Sequence, residues 1–263
     1  MNIYEYINGF VNEKPLDRMV TDGGFCAIFR TIGCIGDSLS SGEFESVKDD
    51  GTKAYHDFYD YSWGQYIGRS CGSKVYNFSR GGMTAKQFVE TFGQKCKVWD
   101  EENRCQMYII ALGVNDVINQ NMEVGSVNDI SLENSEENAS TFAGYYARII
   151  QNIKKNQPRA KIFLVSIPKY EDEKDKDRKR VRDLLEDFTR FFKNTYLIDL
   201  FTYGPVYDKK FRENFFLGHM TATGYLLSAR IIESYIDYLI RKNPRDFNQV
   251  GFIGTDLYYE EEK

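Results

Sequence analysis

Ser38 lies in Gly36-Asp37-Ser38-Leu39-Ser40, directly after a short apolar run. A serine there would be presented at a sheet edge, near the start of the following helix. Gly, Asp and Ser also make ordinary turns, so the block by itself fits a plain strand-to-helix connection. Asn77-Phe78-Ser79-Arg80-Gly81-Gly82-Met83-Thr84 follows another apolar run. Its glycines would let a backbone N–H approach a substrate closely, because no Cβ stands in the way. Asn115, in Gly113-Val114-Asn115-Asp116, offers a side-chain amide to a forming oxyanion, a device worth about 3 kcal/mol in a comparable hydrolase; an Asx-turn is the alternative. His219, in Gly218-His219-Met220-Thr221, is the candidate base. The chain has two histidines, and His56 sits in a ring- and Asp-rich segment that suits a structural or surface role.

The elements between these blocks alternate. Apolar runs at 30–36, 74–78, 106–112, 160–167 and 195–200 read as strands; 106–112 is apolar throughout and suits a strand buried on both faces. Segments 84–98, 141–156, 174–193 and 223–241 carry helical period, as in Leu227, Ile231, Tyr235 and Leu239. Five strands with interposed helices imply a parallel sheet in a three-layer α/β/α fold, since right-handed crossovers put helices on both faces. Ligands of such sheets bind outside the carboxyl ends of the strands, and three blocks follow strands while the fourth precedes the last helix. No linker or repeat divides the chain. It reads as one domain, 1–263, with a core at 30–241, an N-terminal helical extension at 1–29 and a tail at 245–263. The acidic stretch 121–138 reads as a loop or lid.

Taken together and in this order, the four blocks resemble those of the SGNH (GDSL-type) hydrolases. Gly36-Asp37-Ser38-Leu39-Ser40 is similar to the family's first block, Gly82 matches the glycine of the second, Asn115 the asparagine of the third and His219 the histidine of the last. The resemblance runs from about residue 30 to 238. It implies a flavodoxin-like fold and a serine esterase: Ser38 as nucleophile, His219 as base, and an oxyanion hole formed by the backbone N–H groups of Ser38 and Gly82 with the Asn115 side chain. No metal or organic cofactor is required by that mechanism. One position departs. Family members usually carry Asp three residues before the histidine, and here that position is Phe216. A backbone carbonyl near Phe216, or a carboxylate such as Glu213 or Asp208, would have to hold the ring instead. Loss of the orienting acid can cost up to ~10⁴ in rate when the wrong tautomer results.

Composition narrows the partners. Net charge is −5 with both signs interspersed, which leaves no basic footprint for nucleic acid. No apolar run is long enough to span a bilayer and no secretory signal is visible, so a cytoplasmic protein is expected. Five cysteines without CxxC spacing, beside two histidines, argue against a zinc site and for reduced, mostly buried thiols. The absence of GxGxxG and GxxxxGK[ST] loops argues against a nucleotide binder. The expected substrate is a small ester with a short acyl group, acetyl foremost, carbohydrate esters being suggested by ring-rich segments near residues 56–63 and 201–216. The competing readings are a non-catalytic carbohydrate-binding protein on the same fold and an O-acyltransferase; the oligomeric state is not legible.

Overall fold

The computed structural model describes residues 12–259. The strands are β1 (Thr31–Gly36), β2 (Glu43–Val47), β3 (Lys53–Asp57), β4 (Lys74–Ser79), β5 (Met107–Ala111), β6 (Lys161–Val165), β7 (Thr195–Ile198), β8 (Phe216–Leu217) and β9 (His219–Met220). Five of them form one sheet in the order β4-β1-β5-β6-β7, every neighbouring pair parallel. Counted within the sheet, this is the flavodoxin-like order 2-1-3-4-5, whose direction of winding reverses between β1 and β5. A crevice opens at such a switch point.

The sheet is buried on both faces because its residues alternate between two apolar layers. Ile35, Tyr108, Ile110, Ile162 and Leu164 pack under helices Phe142–Asn156 and Asp175–Phe191. Ile32, Cys34, Met107, Ile109 and Phe163 pack under helices Trp63–Cys71 and Ala222–Lys242. The three-layer α/β/α architecture and the five expected strands are therefore present, each strand end within two residues of its expected place.

Helix boundaries follow capping chemistry. Thr141 and Thr221 precede the helices Phe142–Asn156 and Ala222–Lys242, accepting hydrogen bonds from Gly144 N and Gly224 N at 3.2 and 3.3 Å. The expected helix 84–98 is less regular. It starts as Ala85–Gln87, widens into a π-helical turn over Phe88–Phe92 and ends as Gly93–Lys95.

Several elements were not expected: the helices Trp63–Cys71 and Lys209–Phe215, and the antiparallel hairpin β2–β3. The hairpin turns through Lys48-Asp49-Asp50-Gly51-Thr52, where Gly51 adopts φ +82° and Lys48 N donates to Thr52 O at 2.8 Å. A three-residue loop with a left-handed glycine is a favoured hairpin connection.

The flanking segments are fastened to the core. Residues 1–11 of the expected N-terminal helical extension lie outside the described residues, and the remainder contains the 3₁₀ helix Gly24–Ile28. Segment 121–138 is a loop with two short 3₁₀ turns, and Asn138 Nδ2 ties it to Gly144 O and Gln151 Oε1 on the helix Phe142–Asn156. The C-terminal tail docks on the core: Phe247, Val250 and Ile253 are buried, and the Arg159 guanidinium donates to Phe252 O and Leu257 O. Cys26, Cys34, Cys71 and Cys105 are buried free thiols. Among the described residues, no helix is long and apolar enough to cross a membrane.

Candidate functional site

β1 delivers its serine through a capped turn. Asp37 leaves the strand in an extended conformation, and its Oδ1 accepts from Leu39 N at 3.1 Å, starting the short helix Ser38–Ser41 with Ser38 as its first residue. Asp37 is 6% exposed. Burial pushes its carboxyl up to about 6; the Leu39 N–H opposes the rise and the Glu43 charge adds to it.

The β4 connection runs alongside. Arg80 N donates to Gly36 O at 3.3 Å, and Gly82 follows at φ +70°, a conformation that favours glycine. Past β5, Gly113 turns the chain at φ +125° and presents Asn115. Asn115 Nδ2 donates to Met83 O at 3.1 Å and lies 3.5 Å from Asp37 Oδ2, while its Oδ1 accepts from Asn119 Nδ2 at 2.9 Å. The next residue, Asp116, is fully buried and accepts from Ala85 N at 2.8 Å, which joins the β5 and β4 connections. Burial pushes the Asp116 carboxyl up to about 7, against the hydrogen bond from Ala85 and with help from the Asp37 charge.

His219 arrives on a different device. β8 and β9 pair antiparallel around Gly218, which adopts φ +75°, so the histidine stands opposite Leu217. Ser38, Gly82, Asn115 and His219 then line one open cleft of about 560 Å³ at the carboxyl edge of the sheet, together with Glu43 and Tyr55 from the hairpin. Beside it, sharing Asp37, Leu39, Val114 and Tyr170, lies an apolar cavity of about 90 Å³ that reaches Trp63, Met220 and Ile232.

Comparison with known proteins fits this geometry. Residues 32–232 match the model of the family described as GDSL-like Lipase/Acylhydrolase. The chain belongs to that family. No curated protein matches the sequence. Among solved structures, a family two carbohydrate esterase from Clostridium thermocellum in complex with cellohexaose aligns with a TM-score of 0.56 at 17% identity, over 88% of this chain and 67% of that one. A carbohydrate esterase family 2 enzyme with a carbohydrate binding domain, from Corynascus thermopiles (Myceliophthora fergusii), aligns at 0.55 and 16%, over 80% and 66%. A Clostridium thermocellum family 3 carbohydrate esterase aligns at 0.52 and 14%, over 80% and 96%. At these identities the likeness is one of fold.

Within this GDSL-like acylhydrolase, the carboxylates suggested for orienting His219 are occupied elsewhere. Asp208 caps the helix Lys209–Phe215, accepting from Phe211 N at 2.7 Å. Glu213 is exposed and faces Lys209 at 3.7 Å. Phe216 packs against Tyr207 at 5.6 Å and Phe211 at 6.3 Å, so it serves an aromatic cluster. The acidic groups beside the ring come from the hairpin instead: Glu43 Oε1 lies 3.1 Å from Nε2 and Glu45 Oε2 lies 3.9 Å from Nδ1. Burial raises the Glu43 carboxyl above its ordinary range, His219 works against that rise, and Asp57 adds to it. Tyr55 meets the imidazole edge-on with centroids 5.6 Å apart. These three residues were missed. The available signal was the Asp50-Gly51 turn between 43–47 and 53–57, a hairpin marker. His56 sits on the same hairpin, exposed, 2.8 Å from Ser46 Oγ.

Proposed function

We propose that this GDSL-like acylhydrolase is a serine esterase acting on short-chain acyl esters, acetyl esters foremost, with a carbohydrate as one class of alcohol. The observation that carries the reading is the convergence of Ser38, Gly82, Asn115 and His219, from four separate chain segments, on one cleft. In the proposed reaction Ser38 Oγ attacks the ester carbonyl and forms a bond to its carbon, while its proton passes to His219. The carbonyl oxygen takes the negative charge and is met by the backbone N–H groups of Ser38 and Gly82 and by Asn115. The bond to the alkoxy oxygen then breaks, and His219 returns the proton to the leaving alcohol. Water repeats the sequence on the acyl-enzyme, releasing the acid and restoring Ser38.

Two features support the finer assignment. The apolar cavity beside the cleft has about 90 Å³, whereas an engineered apolar cavity of about 150 Å³ takes a benzene ring; a few carbons suit the smaller space. Tyr55 is 54% exposed at the cleft rim, an aromatic surface of the kind that packs against a sugar.

Hydrolysis of p-nitrophenyl acetate and its longer-chain homologues by the wild type and Ser38→Ala tests the proposal. The expected result is turnover that disappears in Ser38→Ala and falls as the acyl chain lengthens. Equal turnover by the two proteins would refute it. Absence of turnover by both, with no selective labelling of Ser38 by a fluorophosphonate, would favour a carbohydrate-binding protein on this fold.

A further inference from the structure

We infer that Glu45 is the positioning residue that orients His219 through Nδ1, and that Glu43 shares Nε2 with Ser38. The inference rests on the serine esterase reading. It starts from a gap: Phe216 occupies the position of the family's usual acid and is committed to packing, so the ring must be held by something else.

The two ring nitrogens are not equivalent. Nδ1 is buried, has no hydrogen-bond partner and points toward Glu45 Oε2 at 3.9 Å. A buried polar atom left unpaired is costly, and a shift of less than an ångström would close this contact to a hydrogen bond. Nε2 faces Glu43 Oε1 at 3.1 Å, and among the described residues no hydrogen bond joins Ser38 Oγ to the ring. Because Nδ1 is turned inward, Nε2 is the nitrogen that can receive the Ser38 proton. For that, Nε2 must carry a lone pair and Nδ1 the hydrogen, so the proton of the 3.1 Å contact with Nε2 must sit on the Glu43 carboxyl, which turns aside when Ser38 donates. Glu45 is the carboxylate facing Nδ1, and an acceptor there selects the required tautomer and stabilises the imidazolium formed when Ser38 is deprotonated.

The backbone is built around both carboxylates. A Cβ on Gly218 would stand 2.0 Å from Glu45 Oε2, and one on Gly81 would stand 2.2 Å from Glu43 Oε2. Glycine at each position is what allows the hairpin acids to lie against the His219 and Gly82 turns. Glu45 is anchored from its other side by Lys53 Nζ, 2.5 Å from Oε1. Tyr225, on the last helix, fixes the base of the hairpin: its hydroxyl donates to Glu43 O at 2.6 Å and lies 3.5 Å from Ser38 O.

Glu43, Glu45 and Tyr55 contact the ring; Lys53 stands behind Glu45, and Asp37, Asp57, Arg80 and Tyr170 are the other charged or titratable groups lining the cleft. Loss confined to kcat and to the Ser38 modification rate, with KM retained and part of the loss restored by Glu45→Asp, is what a merely structural role would not produce.

The experiment compares wild type, Glu45→Gln, Glu45→Asp, Glu43→Gln and Lys53→Met for ester hydrolysis across pH and for the rate at which a fluorophosphonate modifies Ser38. Glu45→Gln should lose about 100-fold in kcat with KM little changed, short of the ~10⁴ seen when an orienting acid is lost with the wrong tautomer. Its phosphonylation rate should fall in step, Glu45→Asp should recover part of both, and Glu43→Gln should lose much less. Lys53→Met, which keeps Glu45 but frees it, should lose activity in the same direction and serves if Glu45→Gln does not fold. Wild-type kcat in Glu45→Gln would overturn the inference, as would wild-type kcat in Lys53→Met should Glu45→Gln not fold, or a loss in Glu43→Gln as large as in Glu45→Gln. Full turnover in Ser38→Ala or His219→Ala would instead remove the esterase reading beneath it.

Discussion

Asn115 is held on both sides of its amide before any substrate arrives. Nδ2 donates to Met83 O and approaches Asp37, and Oδ1 accepts from Asn119. One Nδ2 hydrogen is committed to Met83 O; the other, in the long 3.5 Å contact with Asp37, is the one that the proposed oxyanion would take. Asn115→Ala should lower kcat by about 10²–10³ with a smaller effect on KM, as measured by steady-state hydrolysis. Much of this residue scale was legible in advance, because Ser38, Gly82, Asn115 and His219 each sit in a short block whose residue types are tied to a turn. The hairpin acids were not legible. Glu43 and Glu45 stand more than 170 positions from His219, and an exposed-looking Glu-Phe-Glu-Ser-Val run has the pattern of any edge ribbon.

At the scale of elements, the last helix is the main brace. It covers one face of the sheet, supplies Tyr225 to the backbone of Glu43 and Ser38 and carries Arg241 at its end. Arg241 is 2% exposed; it pairs with Asp237 at 2.7 Å and with both oxygens of Glu13 at 2.7 and 2.8 Å, so it ties the N-terminal segment down. Arg241→Ala takes the cation from the buried Asp237 and leaves Glu13 with Lys242 alone, at 3.4 Å, and should cost about 3 kcal/mol in urea unfolding. This helix was readable from its apolar period. The helix Trp63–Cys71 was not, although Trp63, Ile67 and Cys71 repeat at four-residue steps, because the ring- and Asp-rich run before it masks the start.

For the whole molecule, stability should depend on pH through the buried carboxylates at the switch point. Asp37 and Asp116 are pushed up to about 6 and about 7 by burial, from an ordinary value near 4. The folded state therefore holds more protons than the unfolded state between about pH 4 and pH 7, and these two groups make stability fall as pH rises through that window. Asp116→Asn removes one of the two and should flatten the decline, read from urea unfolding at pH 4.5 and 7.5. An equally steep decline in the variant would place the pH dependence elsewhere. Both carboxyls lie just after the two strands between which the sheet changes its direction of winding.

The sequence by itself determined the five-stranded parallel sheet, the layers on both its faces and the four blocks at its carboxyl edge. These follow from apolar period, strand length and turn chemistry, all of which are local. The tertiary structure decided which side chains accompany the histidine. Glycines at 81 and 218 let two carboxylates of a distant hairpin approach the ring, while the carboxylates nearer in sequence are occupied by a helix cap and a surface lysine. Proximity in the chain says little about such contacts, because they depend on where a two-stranded ribbon folds back across the sheet edge.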